Sequence, residues 1–168
     1  EEGFQIEMLT GPDASESNVK KLSSPSVLHL ATHGQFDQFS KADTYLKSKL
    51  ILAGAADTEP LSVSDYALYE DGFLTAYEVT QLDLPNTQLV VLSACETGLG
   101  EIQSGEGVWG LQRAFQLAGA QSVMGSLWKI SDEATVKFMD AFYEHYLRTK
   151  NISQAYRHAM QTTRQEYP

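Results

Sequence analysis

The sequence predicts an α/β fold, with a mostly parallel sheet that has helices on both faces. The segment 87–95 is almost continuous leucine and valine, which is typical of a central strand covered on both sides. Shorter apolar segments precede it, and long segments with helical periodicity follow it. Strands that alternate with helices in this way indicate a parallel sheet with helices packed on it.

Five segments are predicted as strands. Residues 4–9 alternate apolar and polar side chains and end at Gly11 and Pro12, which predicts a strand followed by a turn. The other four segments are short and apolar, with turn residues or polar stretches at their ends. These are 26–34, 48–54, 87–95 and 122–130.

Four segments are predicted as helices, namely 74–82, 105–120, 131–150 and 151–167. The third begins with Ser131 and two acidic residues and ends in basic ones, which suits the two ends of a helix dipole. In the fourth, one face carries five apolar residues: Ile152, Ala155, Tyr156, Ala159 and Met160. The polar stretches 35–47 and 54–72 are predicted as loops, and loops of this length in compact domains are usually functional.

Composition excludes several classes of protein. The 168 residues carry a net charge of −10, with 22 acidic and 12 basic side chains, which argues against direct binding of nucleic acid. No apolar run approaches the roughly 20 residues of a membrane span. One cysteine cannot form an internal disulfide, which fits a reducing compartment such as the cytoplasm. We expect one domain, taken from a longer protein because the sequence starts abruptly.

Two chemically reactive side chains follow apolar strands. Cys95 ends the segment "LVVLSAC", and His33 follows "LHLAT". Ligands of open parallel sheets bind at the carboxyl ends of the strands. A free thiol is only a few per cent thiolate at neutral pH, so a cysteine nucleophile needs a base such as His33. The backbone N–H groups of Gly34 and Cys95 are candidates to hold an oxyanion. The alternatives are a buried structural cysteine and a histidine bonded to the backbone.

Other candidates near these residues are weaker. His29 is predicted to be a buried, hydrogen-bonded histidine rather than a catalyst. Glu96 or Asp37 could orient His33, or both could face solvent. A zinc site of His29, His33 and Cys95 lacks a second cysteine or a closely spaced ligand pair, so no metal or cofactor is predicted.

Four motifs in the expected order resemble a CHAT domain, a caspase- and separase-like cysteine peptidase module that usually follows tetratricopeptide repeats. They are "VLHLATHG", "LVVLSACETG", "GEGVWGLQRAFQLAGAQSVMGSLWKISDEATVKFMDAFYEHYL" and "SQAYRHAMQTTR". The resemblance implies a caspase-like fold with a His–Cys dyad at His33 and Cys95. It also implies that Gly34 shares oxyanion binding with the Cys95 N–H.

The resemblance leaves the specificity for the P1 residue (the residue before the cleaved bond) open. Caspases have a glutamine and metacaspases an aspartate two residues before the cysteine, where this sequence has Ser93. Separases have an aspartate that favours basic P1 residues, and the segment "LWKISD" places Asp132 at the matching position. Asp132 could instead serve only the start of the following helix. Glu106 is the other acidic candidate for the pocket.

The sequence therefore predicts a cysteine endopeptidase that cleaves protein substrates after Lys or Arg. An attached repeat region or a regulatory protein partner is expected to control it. The alternative is a non-catalytic interaction or scaffold module that retains the fold.

Overall fold

A computed structural model describes residues 4–36, 44–55, 70–93, 106–126 and 130–167. Within these ranges the strands are β1 (Val27–Ala31), β2 (His33–Phe36), β3 (Ser48–Ile51), β4 (Phe73–Thr75), β5 (Leu89–Ser93) and β6 (Val123–Gly125). The helices are α1 (Glu16–Lys20), α2 (Thr44–Lys47), α3 (Ala76–Val79), α4 (Glu106–Leu117), α5 (Asp132–Thr149) and α6 (Ile152–Glu166). The chain divides into two compact units, residues 1–127 and residues 128–168.

The predicted α/β fold is confirmed, because the first unit holds a parallel sheet flanked by helices. Its strand order is β1-β5-β6, and both pairings are parallel. β5 lies in the centre, and the first four of its residues are at most 2% exposed. The continuous apolar run in the sequence therefore corresponds to β5, a strand that is covered on both faces.

The predicted strand 26–34 is in fact two strands, which belong to different sheets. β1 ends at Ala31, and β2 begins at His33 in an antiparallel sheet of order β2-β3-β4. β3 also belongs to this second sheet, so its prediction as a strand is confirmed, and the antiparallel sheet adds to the parallel sheet that was predicted.

One hydrophobic cluster joins the two sheets to the helices of the first unit. It includes Leu28 and Leu30 of β1, Leu50 of β3, and Leu111 and Phe115 of α4. Phe115 is fully buried and Leu111 is 1% exposed. Burial of a side chain of this size contributes about 1.5–3 kcal/mol, so the cluster supplies a rigid base for the strands.

The N-terminal strand prediction is wrong. Residues 4–10 have no regular secondary structure, and Ile6 and Met8 are 80% and 78% exposed. Alternation of apolar side chains stabilises a strand only where one face is covered, and these side chains are not. The predicted turn is confirmed as a 3-10 turn over Gly11–Asp13.

The second unit contains α5 and α6, which pack against each other. Ala155 and Ala159 of α6 are fully buried, whereas Tyr156 and Met160 are 43% and 45% exposed. The predicted apolar face of α6 is therefore too wide. Its buried strip is centred on alanines, and such small side chains allow two helices to approach closely.

Candidate functional site

The carboxyl ends of β1 and β5 are adjacent and in register. The parallel pairing begins with Val27 opposite Leu89 and ends with Ala31 opposite Ser93. His33 follows Ala31 by two residues, and Cys95 follows Ser93 by two residues. In the sequence, each of the two reactive residues thus comes two positions after the last residue of a strand, and these two strand ends are adjacent.

His33 is the first residue of β2 and is exposed, opposite Ile51 of β3. The preceding residue, Thr32, lies at the bend between the two sheets, and its side-chain hydroxyl donates a hydrogen bond to the carbonyl oxygen of Ile51. His33 is therefore held on two sides of its backbone, by the Thr32 bond and by the β2–β3 pairing. Its imidazole remains accessible to solvent.

Gly34 is buried and pairs with Leu50, whose side chain is also fully buried. The residue predicted to share oxyanion binding is thus a fixed part of β2 and lies next to His33. Its predicted role as an oxyanion donor stays a prediction.

Ser93, the last residue of β5, is half-buried and makes a specific contact. Its Oγ atom lies 2.8 Å from Nε2 of His29 on β1. His29 is exposed by area, so the prediction that it is buried is wrong, while the predicted hydrogen bond is present. The exposure has a simple cause, because His29 occupies the face of β1 opposite that of buried Leu28 and Leu30.

The remaining site predictions fall in different places. Cys95, Glu96 and Asp37 lie outside the described residues. Glu106 is the first residue of α4. His33, Gly34 and Ser93 are therefore the predicted site residues whose surroundings can be described in the first unit.

Asp132 is the first residue of α5 in the second unit. The helix is capped by Ser131, whose side chain accepts a hydrogen bond of 3.2 Å from the backbone N–H of Ala134. Asp132 is exposed, and no hydrogen bond or ion pair of its carboxylate occurs within the described residues. Because Ser131 meets the need for a cap, the Asp132 carboxylate is available for another partner.

Sequence reasoning missed two contacts that shape this region, the Thr32–Ile51 bond and the choice of Ser93 as the partner of His29. Both join residues that are far apart in sequence, so local periodicity gives no sign of them. A threonine directly before the predicted base was the one available signal, since its hydroxyl can bond to the backbone at a bend.

Two further properties of the described part of the chain concern membranes and metal ions. No helix there is both long and apolar enough to cross a membrane. Among the same residues, no group of three or more His, Cys, Asp or Glu side chains is arranged to hold a metal ion.

Comparison with known proteins identifies the family. A model of the CHAT domain matches residues 2–167. Human (Homo sapiens) tetratricopeptide repeat protein 28 is 36% identical over 122 residues, which is 73% of this chain and 5% of that protein. The mouse (Mus musculus) protein of the same name is 28% identical over 186 aligned residues, covering 95% of this chain and 7% of that protein. This chain thus spans only a small part of either relative, and it belongs to the CHAT domain family, which is related to the caspase-like peptidases.

Proposed function

We propose that this CHAT domain is a cysteine endopeptidase in which Cys95 is the nucleophile and His33 is the general base. The observation that carries the proposal is the register of β1 and β5, which end together at Ala31 and Ser93. The two reactive residues each follow by two positions, so both belong to segments that start at one edge of the sheet. That edge is where ligands of parallel sheets bind.

The proposed reaction begins at the thiol. His33 takes the proton of the Cys95 Sγ atom, and the thiolate attacks the carbonyl carbon of the substrate peptide bond. The backbone N–H groups of Gly34 and Cys95 donate to the oxyanion, an interaction worth about 3–4 kcal/mol for each donor. His33 then protonates the leaving amine, and water hydrolyses the thioester to release the acid and regenerate the thiol.

The accessible imidazole of His33 supports this role, because a base must meet both the thiol and the substrate amine. The fixed backbone around it also supports the role. Thr32 and the β2–β3 pairing restrict the position of His33, so little conformational freedom is lost when substrate binds.

Specificity for a basic P1 residue is the second part of the proposal. Asp132 supplies the negative charge that a Lys or Arg side chain would meet, since its carboxylate is exposed and Ser131 already caps α5. Glu106 is the alternative acid, and Ser93 is proposed to line the pocket from β5.

Regulation by a repeat region is the third part. Two relatives of this chain are named as tetratricopeptide repeat proteins, and this chain corresponds to 5–7% of their length. We propose that the domain acts on a protein substrate in the cytoplasm, as one part of a longer repeat-containing protein or in complex with a regulatory partner.

Hydrolysis of peptides with Lys or Arg at P1 tests the proposal, together with labelling by a peptide chloromethyl ketone of the same sequence. We expect Cys95→Ala and His33→Ala each to lower kcat/KM by at least about a thousandfold. Circular dichroism and thermal unfolding of His33→Ala should match the wild type, because His33 is exposed. Since Cys95 is the single cysteine, a mass spectrum reports its labelling directly.

The outcome also separates the peptidase from a scaffold. A peptidase should react with the peptide electrophile far faster than a free cysteine does, and His33→Ala should remove most of that advantage. A non-catalytic interaction module would label no faster than the free thiol and would hydrolyse no peptide, with or without the repeat region. That result would overturn the proposed function.

A further inference from the structure

The hydrogen bond between His29 and Ser93 connects the two strands that lead to the proposed dyad. Its length is 2.8 Å between Nε2 and Oγ, which is a normal hydrogen bond. His29 is four residues before His33, and Ser93 is two residues before Cys95. The bond therefore joins the approach to the base with the approach to the nucleophile.

The register explains how these side chains meet. His29 is opposite Val91, and Ser93 is opposite Ala31, so His29 and Ser93 are diagonal neighbours across the parallel pair. Residues two apart on a strand share a face, so the His29 and Ser93 side chains lie on the same face of the sheet. The imidazole leans along β1 toward the carboxyl edge to reach the serine.

His29 is attached to a rigid part of the molecule. On the opposite face of β1, Leu28 and Leu30 are 7% and 8% exposed and belong to the hydrophobic cluster. A side chain held on a packed strand defines a position more narrowly than one held on a loop. Ser93 is different, because it is the last residue of β5 and lacks the full burial of the residues before it.

The charge state of His29 suits a structural bond. The ring keeps part of its surface in solvent, yet enough of it is enclosed that burial lowers the pKa of His29 below its usual 6.5. The imidazole is therefore neutral at pH 7. A neutral ring either accepts a hydrogen bond from the serine hydroxyl or donates one to it, so the hydrogen bond forms with either tautomer.

We propose that His29 is a positioning residue of the proposed peptidase site: it holds Ser93, and with it the carboxyl end of β5 from which the chain continues to Cys95. His29 acts through Ser93, to which it is hydrogen-bonded. This inference rests on the proposed function, because it gives His29 a role in positioning Cys95, whose thiol the proposed reaction uses.

A double-mutant cycle on the full domain tests the inference. The variants are His29→Leu, Ser93→Ala and the double variant, with Ser93→Thr to retain the hydroxyl and His29→Gln to retain a polar group. Ser26→Ala is the matched control, because Ser26 is an exposed serine directly before β1, away from its carboxyl end. Two rates are measured, alkylation of Cys95 by iodoacetamide from pH 6 to 9 and hydrolysis of a Lys-P1 peptide.

We expect His29→Leu and Ser93→Ala each to lower kcat about tenfold and to shift the pH profile of alkylation, and His29→Leu to leave KM little changed. The double variant should lose no more than either single variant, because both remove the same bond. Ser93→Thr should restore most of the rate, and Ser26→Ala should equal the wild type. If His29→Leu does not fold, Ser93→Ala against Ser93→Thr gives the same comparison.

Two results would overturn the inference. One is a set of folded variants with unchanged kcat and unchanged alkylation, and the other is a double variant whose losses are the product of the single losses. A change in KM between Lys and Arg substrates in His29→Leu without a change in kcat would also reject it, since His29 would then act only on the P1 pocket that Ser93 is proposed to line. Failure of the proposed function looks different: the wild type hydrolyses no peptide, while the alkylation cycle still reports whether the bond controls the thiol.

Discussion

Thr32 donates its side-chain hydroxyl to the backbone carbonyl oxygen of Ile51 and thereby ties the bend after β1 to the end of β3. The next residue is His33, which pairs with the same Ile51. The position of the proposed base is thus determined by the antiparallel sheet as well as by the parallel one. Thr32, which lies next to the proposed base and takes no part in the proposed reaction, therefore helps to position His33.

Loss of the Thr32 hydroxyl is expected to affect both stability and turnover. Thr32→Val keeps the shape of the side chain but removes its donor to Ile51. We expect a loss of about 1 kcal/mol in the free energy of unfolding, measured with urea. We also expect kcat for a Lys-P1 peptide to fall about tenfold with KM unchanged, because His33 is less well placed.

Thr32→Ser is the control for this change, since it keeps the donor and loses only a methyl group. It should retain most of the turnover that Thr32→Val loses. Equal kcat values for the two variants would show that the hydroxyl does not position His33.

Asp132 is expected to determine the preference for a basic P1 residue. Asp132→Asn removes one negative charge from the first turn of α5 and leaves the Ser131 cap intact. We expect kcat/KM for Lys and Arg substrates to fall at least about tenfold relative to a substrate with a neutral P1 residue. Peptides that differ only at P1 provide the measurement.

Glu133→Gln is the matched control, because Glu133 is an exposed acid in the same helical turn. Each substitution removes one favourable interaction between an acidic side chain and the helix dipole, which contributes about 0.3–1 kcal/mol to stability. Only Asp132→Asn should change the ratio of the P1 substrates. A ratio that changes equally in the two variants, or in neither, would move the pocket to another acid, with Glu106 the first to test.

The sequence allowed the prediction of elements whose pattern is local. The continuous apolar run of β5 predicts a covered central strand, and its residues are buried. The start of α5 is also predictable from the sequence, because Ser131 precedes two acidic residues. In the structure the Ser131 side chain caps the helix. In both cases the residues that define the element are neighbours in sequence.

Pairing between distant residues could not be predicted in the same way. The apolar run 26–34 gives no sign that the strand ends at Ala31, because the change of sheet depends on where β3 lies. His29 was expected to be buried, since its position in an apolar run does not report which face of β1 is covered. Tertiary contacts decide both questions.

Gly72 is expected to tolerate no side chain. It adopts a φ of +79°, and a Cβ atom there would lie 2.3 Å from the backbone nitrogen of Ala55. Its carbonyl oxygen accepts from the N–H of Leu52 at 2.7 Å, so the backbone cannot move away without breaking this bond. We expect Gly72→Ala to lower the free energy of unfolding by about 3 kcal/mol or more, as for strain combined with a core clash.

Gly11→Ala separates the two causes of this loss. Gly11 also has a positive φ, +56°, but a Cβ atom there would have no neighbour within 4 Å. Gly11→Ala should therefore lower the free energy of unfolding only through backbone strain, by about 1–2 kcal/mol. Urea unfolding of the two variants gives the comparison, and equal losses would contradict a steric role for Ala55.

A buried cluster of two carboxylates and one ammonium group should make stability depend on pH. Glu16 is 1% exposed, and its carboxylate is 2.5 Å from the Nζ atom of Lys20 and accepts from the Gly72 N–H at 3.0 Å. Glu78 shares the same Lys20 at 3.0 Å. Burial raises the pKa of Glu16 from 4.5 to about 7; the Lys20 ammonium opposes this shift and Glu78 adds to it.

The sign of the pH effect follows from this shift. Between pH 4.5 and 7 the folded protein holds a proton on Glu16 that the unfolded chain has lost, so the stabilising contribution falls as the pH rises through this window. We expect the free energy of unfolding to decrease by up to about 3 kcal/mol over this pH window because Glu16 loses its proton.

Glu16→Gln tests this expectation. Its side chain cannot titrate, so the variant should lack the part of the pH dependence that Glu16 contributes, measured by urea unfolding from pH 4.5 to 8. Glu144→Gln, at an exposed acid in α5, should leave the slope unchanged. Equal slopes for the wild type and Glu16→Gln would mean that Glu16 is ionised throughout, with Lys20 outweighing its burial.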